Sequence, residues 1–266
     1  MNKPRFSFKK ILLSLLALIL VYHLASLVIN KPLHAKVQNI AHRGGAAYNP
    51  ENSLAAFEQS SQDKVDWLEF DVQLSRDGIP VVYHDENVAE LDGGHVSDYS
   101  LEQLQSADLG EGQTIPTFED VLLLAKRYGM RIMPEAKSPE LNPGLEEKML
   151  AVIKEHGYQE FTIVQSFSAE TLEKIHQLDP DLALCSLYGL GNLSFTLKPP
   201  YPGDAKYLCV LSELLILQPG KVRQAHAAGR EVYIYPGVFK QPWAIRWAVA
   251  LGVDGVILDD YRMMDE

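Results

Sequence analysis

Short apolar runs alternate with amphipathic stretches from residue 38 onward. The runs lie at 38–42, 66–74, 130–136, 161–166, 182–187, 206–211, 231–235 and 254–258. They are rich in branched and apolar residues with little alternation, the pattern of strands buried on both faces. Between them, Ser53–Ser61, Thr117–Tyr128, Leu145–His156, Ala169–Leu178, Gly220–Ala228 and Trp243–Leu251 carry helical signals. Pro116-Thr117 ahead of Phe118-Glu119-Asp120 reads as a helix start, and Gly129 as its stop. Gly229 and Gly252 end two later helices in the same way. Eight strands separated by helices predict a closed parallel (β/α)8 barrel; an open doubly wound sheet is the alternative. Two stretches distort the plan. Gly189 to Gly203 is rich in Pro and Gly, and few residues follow the last strand. Within 66–83, Ser75-Arg76-Asp77-Gly78 is a hairpin turn that returns the chain and brings His84 near Glu69 and Asp71.

One run differs from the rest. Ile11 to Ile29 is almost wholly apolar and follows Lys9-Lys10. In a helix it rises about 28 Å, enough to cross a bilayer core. Its positive flank places the remainder outside the cytoplasm. The expected organisation is a basic tail (1–10), a transmembrane signal anchor (11–29), a linker (30–37) and a catalytic barrel (38–266). A signal peptide cleaved to release a secreted enzyme is the alternative; Leu33-His34-Ala35 is a poor cleavage site.

Charge sharpens this division. All of the first six basic residues precede residue 37 with no acidic one among them, leaving 18 basic against 35 acidic groups in the body. Such a body is repelled by nucleic acid and attracts divalent cations. The chain has two cysteines, Cys185 and Cys209, each inside an apolar run. They read as small buried residues; a disulfide requires their strands to be neighbours.

Candidate chemistry sits at strand ends. Ala41-His42-Arg43-Gly44-Gly45 pairs a group that titrates near neutrality with a planar cation before a sharp turn, a combination suited to phosphate. The two glycines read as space for that phosphate. Glu69 and Asp71 are two apart on one strand and share a face. Buried together they repel unless a cation lies between them. Glu135 and Lys137 repeat the spacing on the next strand, which is consistent either with an ion pair within the strand or with Glu135 completing an oxygen-only ligand set beside a Lys137 that meets an anion. Three carboxylates without Cys or a His pair favour Mg²⁺ or Ca²⁺ over zinc. His84, followed by Asp85, gives a second imidazole to act with His42 as general acid and base. Glu51 and Asn52 are expected to cap the following helix, to orient His42, or to support the site residues from behind or at the pocket.

His42-Arg43-Gly44, Pro50-Glu51-Asn52-Ser53, Glu69-Phe70-Asp71-Val72, Asp77-Gly78, His84-Asp85 and Glu135-Ala136-Lys137 together resemble the glycerophosphodiester phosphodiesterase family. The resemblance continues through Ile115-Pro116-Thr117-Phe118 and Val164-Gln165-Ser166-Phe167 to Gly252-Val253-Asp254-Gly255-Val256-Ile257-Leu258-Asp259. It implies a TIM-type barrel that hydrolyses phosphodiesters with a divalent cation. It implies metal ligands at Glu69, Asp71 and Glu135, an acid/base pair at His42 and His84, and phosphate contacts from Arg43 and Lys137. Where the family often carries Trp-Thr-Val-Asn, this chain has Tyr233-Ile234-Tyr235-Pro236, so Tyr233 and Tyr235 are expected to shape the pocket. The expected substrate is a small glycerophosphodiester, or a lysophospholipid in a lysophospholipase D-type reaction. A non-catalytic, surface-tethered binding barrel is the reading from another class.

Overall fold

The computed structural model describes residues 9, 12–18, 20–21, 37–189, 206–218, 220–237 and 242–264. Among the described residues nine strands form one sheet: β1 (Gln38–Ala41), β2 (Trp67–Leu74), β3 (Pro80–Val82), β4 (Arg131–Ala136), β5 (Ile163–Ser166), β6 (Ala183–Tyr188), β7 (Tyr207–Leu211), β8 (Glu231–Tyr235) and β9 (Gly255–Leu258). All but β3 are parallel, and β1 pairs with both β9 and β2. That double pairing closes an eight-stranded parallel barrel and excludes the open sheet. β3 lies antiparallel on the far end of β2, with Val72 opposite Val82, as the turn at Gly78 predicts.

The helices of the barrel are α1 (Leu54–Gln62), α2 (Leu101–Leu104), α3 (Phe118–Tyr128), α4 (Leu145–Glu155), α5 (Ala169–Leu178), α6 (Ser212–Leu217), α7 (Lys221–Ala227) and α8 (Pro242–Ala250). Thr117 caps α3 in a reciprocal box with Asp120, and Gly129 ends it at φ 67°. After β9 a 3-10 turn follows, Tyr261–Met264. The Pro/Gly-rich stretch after Gly189 lies almost entirely outside the described residues, as does most of 11–29. Within 11–29, residues 12–18 and 20–21 are helical and present exposed leucines. Among the described residues no helix is long and apolar enough to cross a membrane.

Strand alternation divides the core. Inward residues Ile40, Trp67, Met133, Ile163, Cys185, Leu187, Cys209, Tyr233 and Ile257 fill the barrel. Outward residues such as Leu68, Phe70 and Val72 pack beneath α1 and α3 against Phe57 and Phe118. Every residue of β2 is therefore buried, which is why its polar members must serve a purpose. β6 and β7 are neighbours, and Cys185 and Cys209 are joined in a disulfide across them, which the reading as two separate buried residues had not required.

The seam beside the first strand is held by local packing. Gly44 and Gly45 have φ of 80° and 92°. A Cβ on Gly44 would lie 2.8 Å from that of Ala56, and one on Gly45 would overlap the Tyr261 ring. Their role is close packing at a left-handed turn, not space for phosphate. Gly45→Ala is expected to cost about 2–4 kcal/mol, combining left-handed strain with overpacking; a denaturant titration measures it.

Tyr261 also donates to Asp63 at 2.6 Å, and Arg262 reaches the same carboxylate at 2.7 Å. The hydrogen bond from Tyr261 and the charge of Arg262 hold the Asp63 pKa below its ordinary value. A depressed carboxyl contributes stability above its unfolded pKa, near 4. That contribution disappears as pH falls through the lower folded value. Asp63→Asn should lower Tm by a few degrees at pH 7 and flatten its acid decline, read from melting curves between pH 7 and 2.

Candidate active site

The sequence motifs converge at the C-terminal mouth of the barrel, where parallel barrels carry their chemistry. Carboxylate oxygens of Glu69, Asp71 and Glu135 lie within 4.8 Å of one another. Glu69 and Asp71 come from β2 and Glu135 from the register-matched position of β4, opposite Asp71. Two-residue spacing on each strand turns these side chains inward.

Each carboxylate is held. Glu69 accepts from the Arg43 backbone N–H at 3.0 Å and from Gln165 at 2.7 Å. Asp71 accepts from Asn52 at 2.9 Å and from Lys137 at 3.1 Å, with Arg43 Nε at 3.4 Å. Lys137 also lies 3.2 Å from Glu135. Burial and the neighbouring carboxylates push Glu69 and Glu135 up in pKa, against the pull of His42 on Glu69 and of Lys137 on Glu135. Burial works the same way on Asp71, but Lys137 and Arg43 outweigh it and hold that group low. The three carboxylates thus crowd one another at the barrel mouth. An oxygen-only, buried trio of this kind fits a hard divalent cation, which would relieve that repulsion.

Arg43 sits in a left-handed conformation, φ 51°, rare outside glycine. The bend aims its N–H at Glu69 while its guanidinium spans Glu51, at 2.8 Å and 3.0 Å, and Asp71. Glu51 and Asn52 therefore neither cap α1 nor orient His42. Ser53 caps the helix, and Glu51 and Asn52 fix Arg43 and Asp71.

His42 is oriented instead by Asp259, at the end of β9, whose Oδ1 lies 2.5 Å from Nδ1. Nε2 then faces the carboxylates, 3.9 Å from Glu69. Burial disfavours the charged imidazole, yet Glu69 and Asp259 prevail and raise its pKa above the ordinary value. His84 is arranged alike, Nδ1 lying 2.6 Å from Asp85. Its loop is pinned by buried Gln73, whose amide donates to the carbonyls of Tyr83 and Asp85. Sequence reasoning assigned no role to Asp259, Gln165 or Gln73. Asp259 and Gln165 fall inside quoted motifs, but their partners are distant in the chain.

A cavity of about 320 Å³ is lined by His42, Arg43, Glu69, His84, Glu135, Lys137 and Gln165 on one side. Phe167, Leu187, Tyr235, Pro236 and Ile257 form its apolar side. Tyr235 is part of this wall, and its hydroxyl donates to the Tyr188 carbonyl. Tyr233 is not: it is fully buried in the barrel, its hydroxyl directed to Gln38 at the opposite end. The expectation that Tyr233 shapes the pocket is corrected, because its side chain points into the closed core.

The sequence matches the glycerophosphoryl diester phosphodiesterase family over residues 42–263. The chain belongs to that family. It is 32% identical over 236 residues to a glycerophosphodiester phosphodiesterase of Caldanaerobacter subterraneus subsp. tengcongensis, covering 83% of this chain and 93% of the relative. A human lysophospholipase D is 25% identical over 267 residues, covering 84% and 83%. The structure of an Oleispira antarctica phosphodiesterase in complex with the product sn-glycerol-3-phosphate superposes with a TM-score of 0.76. That match has 26% identity and covers 86% of this chain and 95% of the other. The enzyme is accordingly a phosphodiesterase acting on glycerophosphodiesters, and the binding-only reading is set aside.

Proposed function

We propose that the enzyme cleaves glycerophosphodiesters to an alcohol and glycerol phosphate with His42 and His84 as its proton-transfer groups. One observation carries this reading. Two imidazoles, each with Nδ1 taken by an aspartate, line one cavity with Glu69, Glu135, Arg43 and Lys137. The Nε2 atoms are then the ones left for substrate. One takes the proton of the attacking oxygen, and the other delivers a proton to the alkoxide as the P–O bond breaks. Arg43 and Lys137 neutralise the phosphate, while Glu51 and Asp71 keep both cations in place. Glu69, Asp71 and Glu135 would hold Mg²⁺ or Ca²⁺, which when bound supplies Lewis-acid stabilisation of charge on the phosphate. Asp259 fixes the His42 tautomer and ring plane.

A second reading, cleavage of lysophospholipids on the same site, is supported by the apolar wall from Phe167 to Ile257. Tethering to a membrane through residues 11–29, with the barrel extracytoplasmic, is supported by the exposed leucines at 12–20 beside Lys9 and by the Cys185–Cys209 disulfide. Disulfides persist in oxidising compartments. Glycerophosphocholine and lysophosphatidylcholine compared in one assay test the substrate reading. Glycerol phosphate release from the first supports the primary reading, and choline-free lysophosphatidic acid from the second supports the other. Turnover of neither contradicts both.

A further inference from the structure

The two imidazole–aspartate pairs are built differently. His42 follows β1 and Asp259 follows β9, two strands paired within the closed barrel. His84 and Asp85 are consecutive residues on a loop after β3, a strand that lies outside the barrel and pairs with β2. The β2–β3 ladder reaches its last rung where the Tyr83 N–H donates to the Asp71 carbonyl at 3.1 Å. Solvent access differs too: the Asp85 side chain is 67% exposed, against 27% for Asp259. A pair placed on an exposed loop is only as well positioned as the backbone that carries it.

Gln73 supplies that backbone support. It is buried, and by the two-residue period of a strand it shares the inward face of β2 with Glu69 and Asp71, at the end nearer the mouth. Its Nε2 lies 2.9 Å from the Tyr83 carbonyl, 2.7 Å from that of Asp85 and 3.4 Å from that of His84. One amide thus collects the carbonyls on both sides of the imidazole, including that of the residue whose carboxylate orients the ring. A primary amide has two N–H groups, and both are directed to this loop. A strand buried on both faces is normally apolar, and an amide there is costly unless its donors are used.

We propose that Gln73 is a positioning residue for catalysis, holding the His84–Asp85 pair at a fixed offset from Glu69 and Asp71 on the same strand. β2 then sets both the carboxylate cluster and the place of the second proton-transfer group. His42 needs no such clamp, because the β1–β9 pairing already joins it to Asp259. The proposal rests on the phosphodiesterase reading above and adds a residue to its machinery.

The test measures kcat and KM on glycerophosphocholine for Gln73→Leu, which removes both donors, and for Gln73→Asn, which keeps a buried amide but is one methylene too short to reach the loop. Both should lower kcat about 10–100-fold, as expected for a reacting group displaced by about 1 Å. KM should change less than about 2-fold, because the cavity walls and the phosphate-binding cations are intact. In a His84→Ala background the same substitutions should lower kcat no further, since the group they position is gone. The rise in Tm on adding Mg²⁺ should equal that of wild type, because all three carboxylates remain. Should Gln73→Leu lose its circular dichroism signal, Gln73→Asn decides. Near wild-type kcat in the folded variants, a loss carried in full into the His84→Ala background, or a Mg²⁺ effect on Tm that falls with kcat overturns the assignment. Absence of hydrolysis by the wild type would instead defeat the phosphodiesterase reading itself.

Discussion

His84→Ala lowers kcat on glycerophosphocholine by about 10²–10⁴-fold while the protein keeps its fold, and His42→Ala does the same. Each imidazole is partly exposed at the barrel mouth, so its loss opens no core cavity. Circular dichroism should be unchanged. The magnitude follows from what each ring does: with Nδ1 committed to Asp259 or Asp85, a single nitrogen remains to move the proton. Removing that nitrogen removes the group, not merely its orientation. Asp259→Asn should have a smaller effect on kcat with KM nearly preserved, because the ring remains but its tautomer is no longer fixed. In the His42→Ala background the same substitution should add almost nothing, since residues acting as a unit are not additive. A His42 or His84 variant with near wild-type kcat would remove that residue from the mechanism.

Glu135→Gln abolishes activity without destabilising the metal-free protein. Removing a residue that only supports a ligand usually costs 10–100-fold in metal affinity or activity. Removing one of three carboxylates should cost at least about 100-fold. Stability moves differently. Burial and the Asp71 carboxylate raise the Glu135 pKa, so without a bound cation this group is repelled by its neighbours despite Lys137. Glutamine relieves that repulsion, and Lys137 keeps its contact with Asp71. The metal-free variant should melt at or above the wild-type temperature. Wild type should gain Tm with saturating Mg²⁺ or Ca²⁺, by the roughly 2.7 kcal/mol expected at 100 times Kd, and the variant should gain far less. A variant that loses both activity and metal-free stability would show Glu135 to be structural.

Much of this site is legible in the sequence because strands impose a period of two. Glu69 with Asp71, and Glu135 with Lys137, had to share faces once their runs were strands, and the hairpin at Gly78 had to return His84. The eight barrel strands were legible for a related reason: strands buried on both faces read as unbroken apolar runs. The same property hid α6. Tyr207 to Leu217 is nearly continuous apolar sequence, so the change from strand to helix at Ser212 leaves no mark in the pattern. Partnerships across the closed barrel were equally hidden. His42 and Asp259 are 217 positions apart, and only the β1–β9 pairing brings them together. The two glycines illustrate the converse. Their need for positive φ was readable, but the cause, contact with Ala56 and the Tyr261 ring, lies elsewhere in the chain. Tyr233 and Tyr235 share a face yet differ in depth, which periodicity does not report.

In the proposed reaction a carboxylate-held divalent cation and two imidazoles cleave a glycerophosphodiester at the mouth of this barrel. Its most direct test is glycerol phosphate release from glycerophosphocholine by the full chain, before EDTA treatment, after it, and after Mg²⁺ or Ca²⁺ is restored. Loss on chelation and recovery with either ion is the predicted result. Turnover that persists undiminished in EDTA, or that no divalent ion restores, would contradict it.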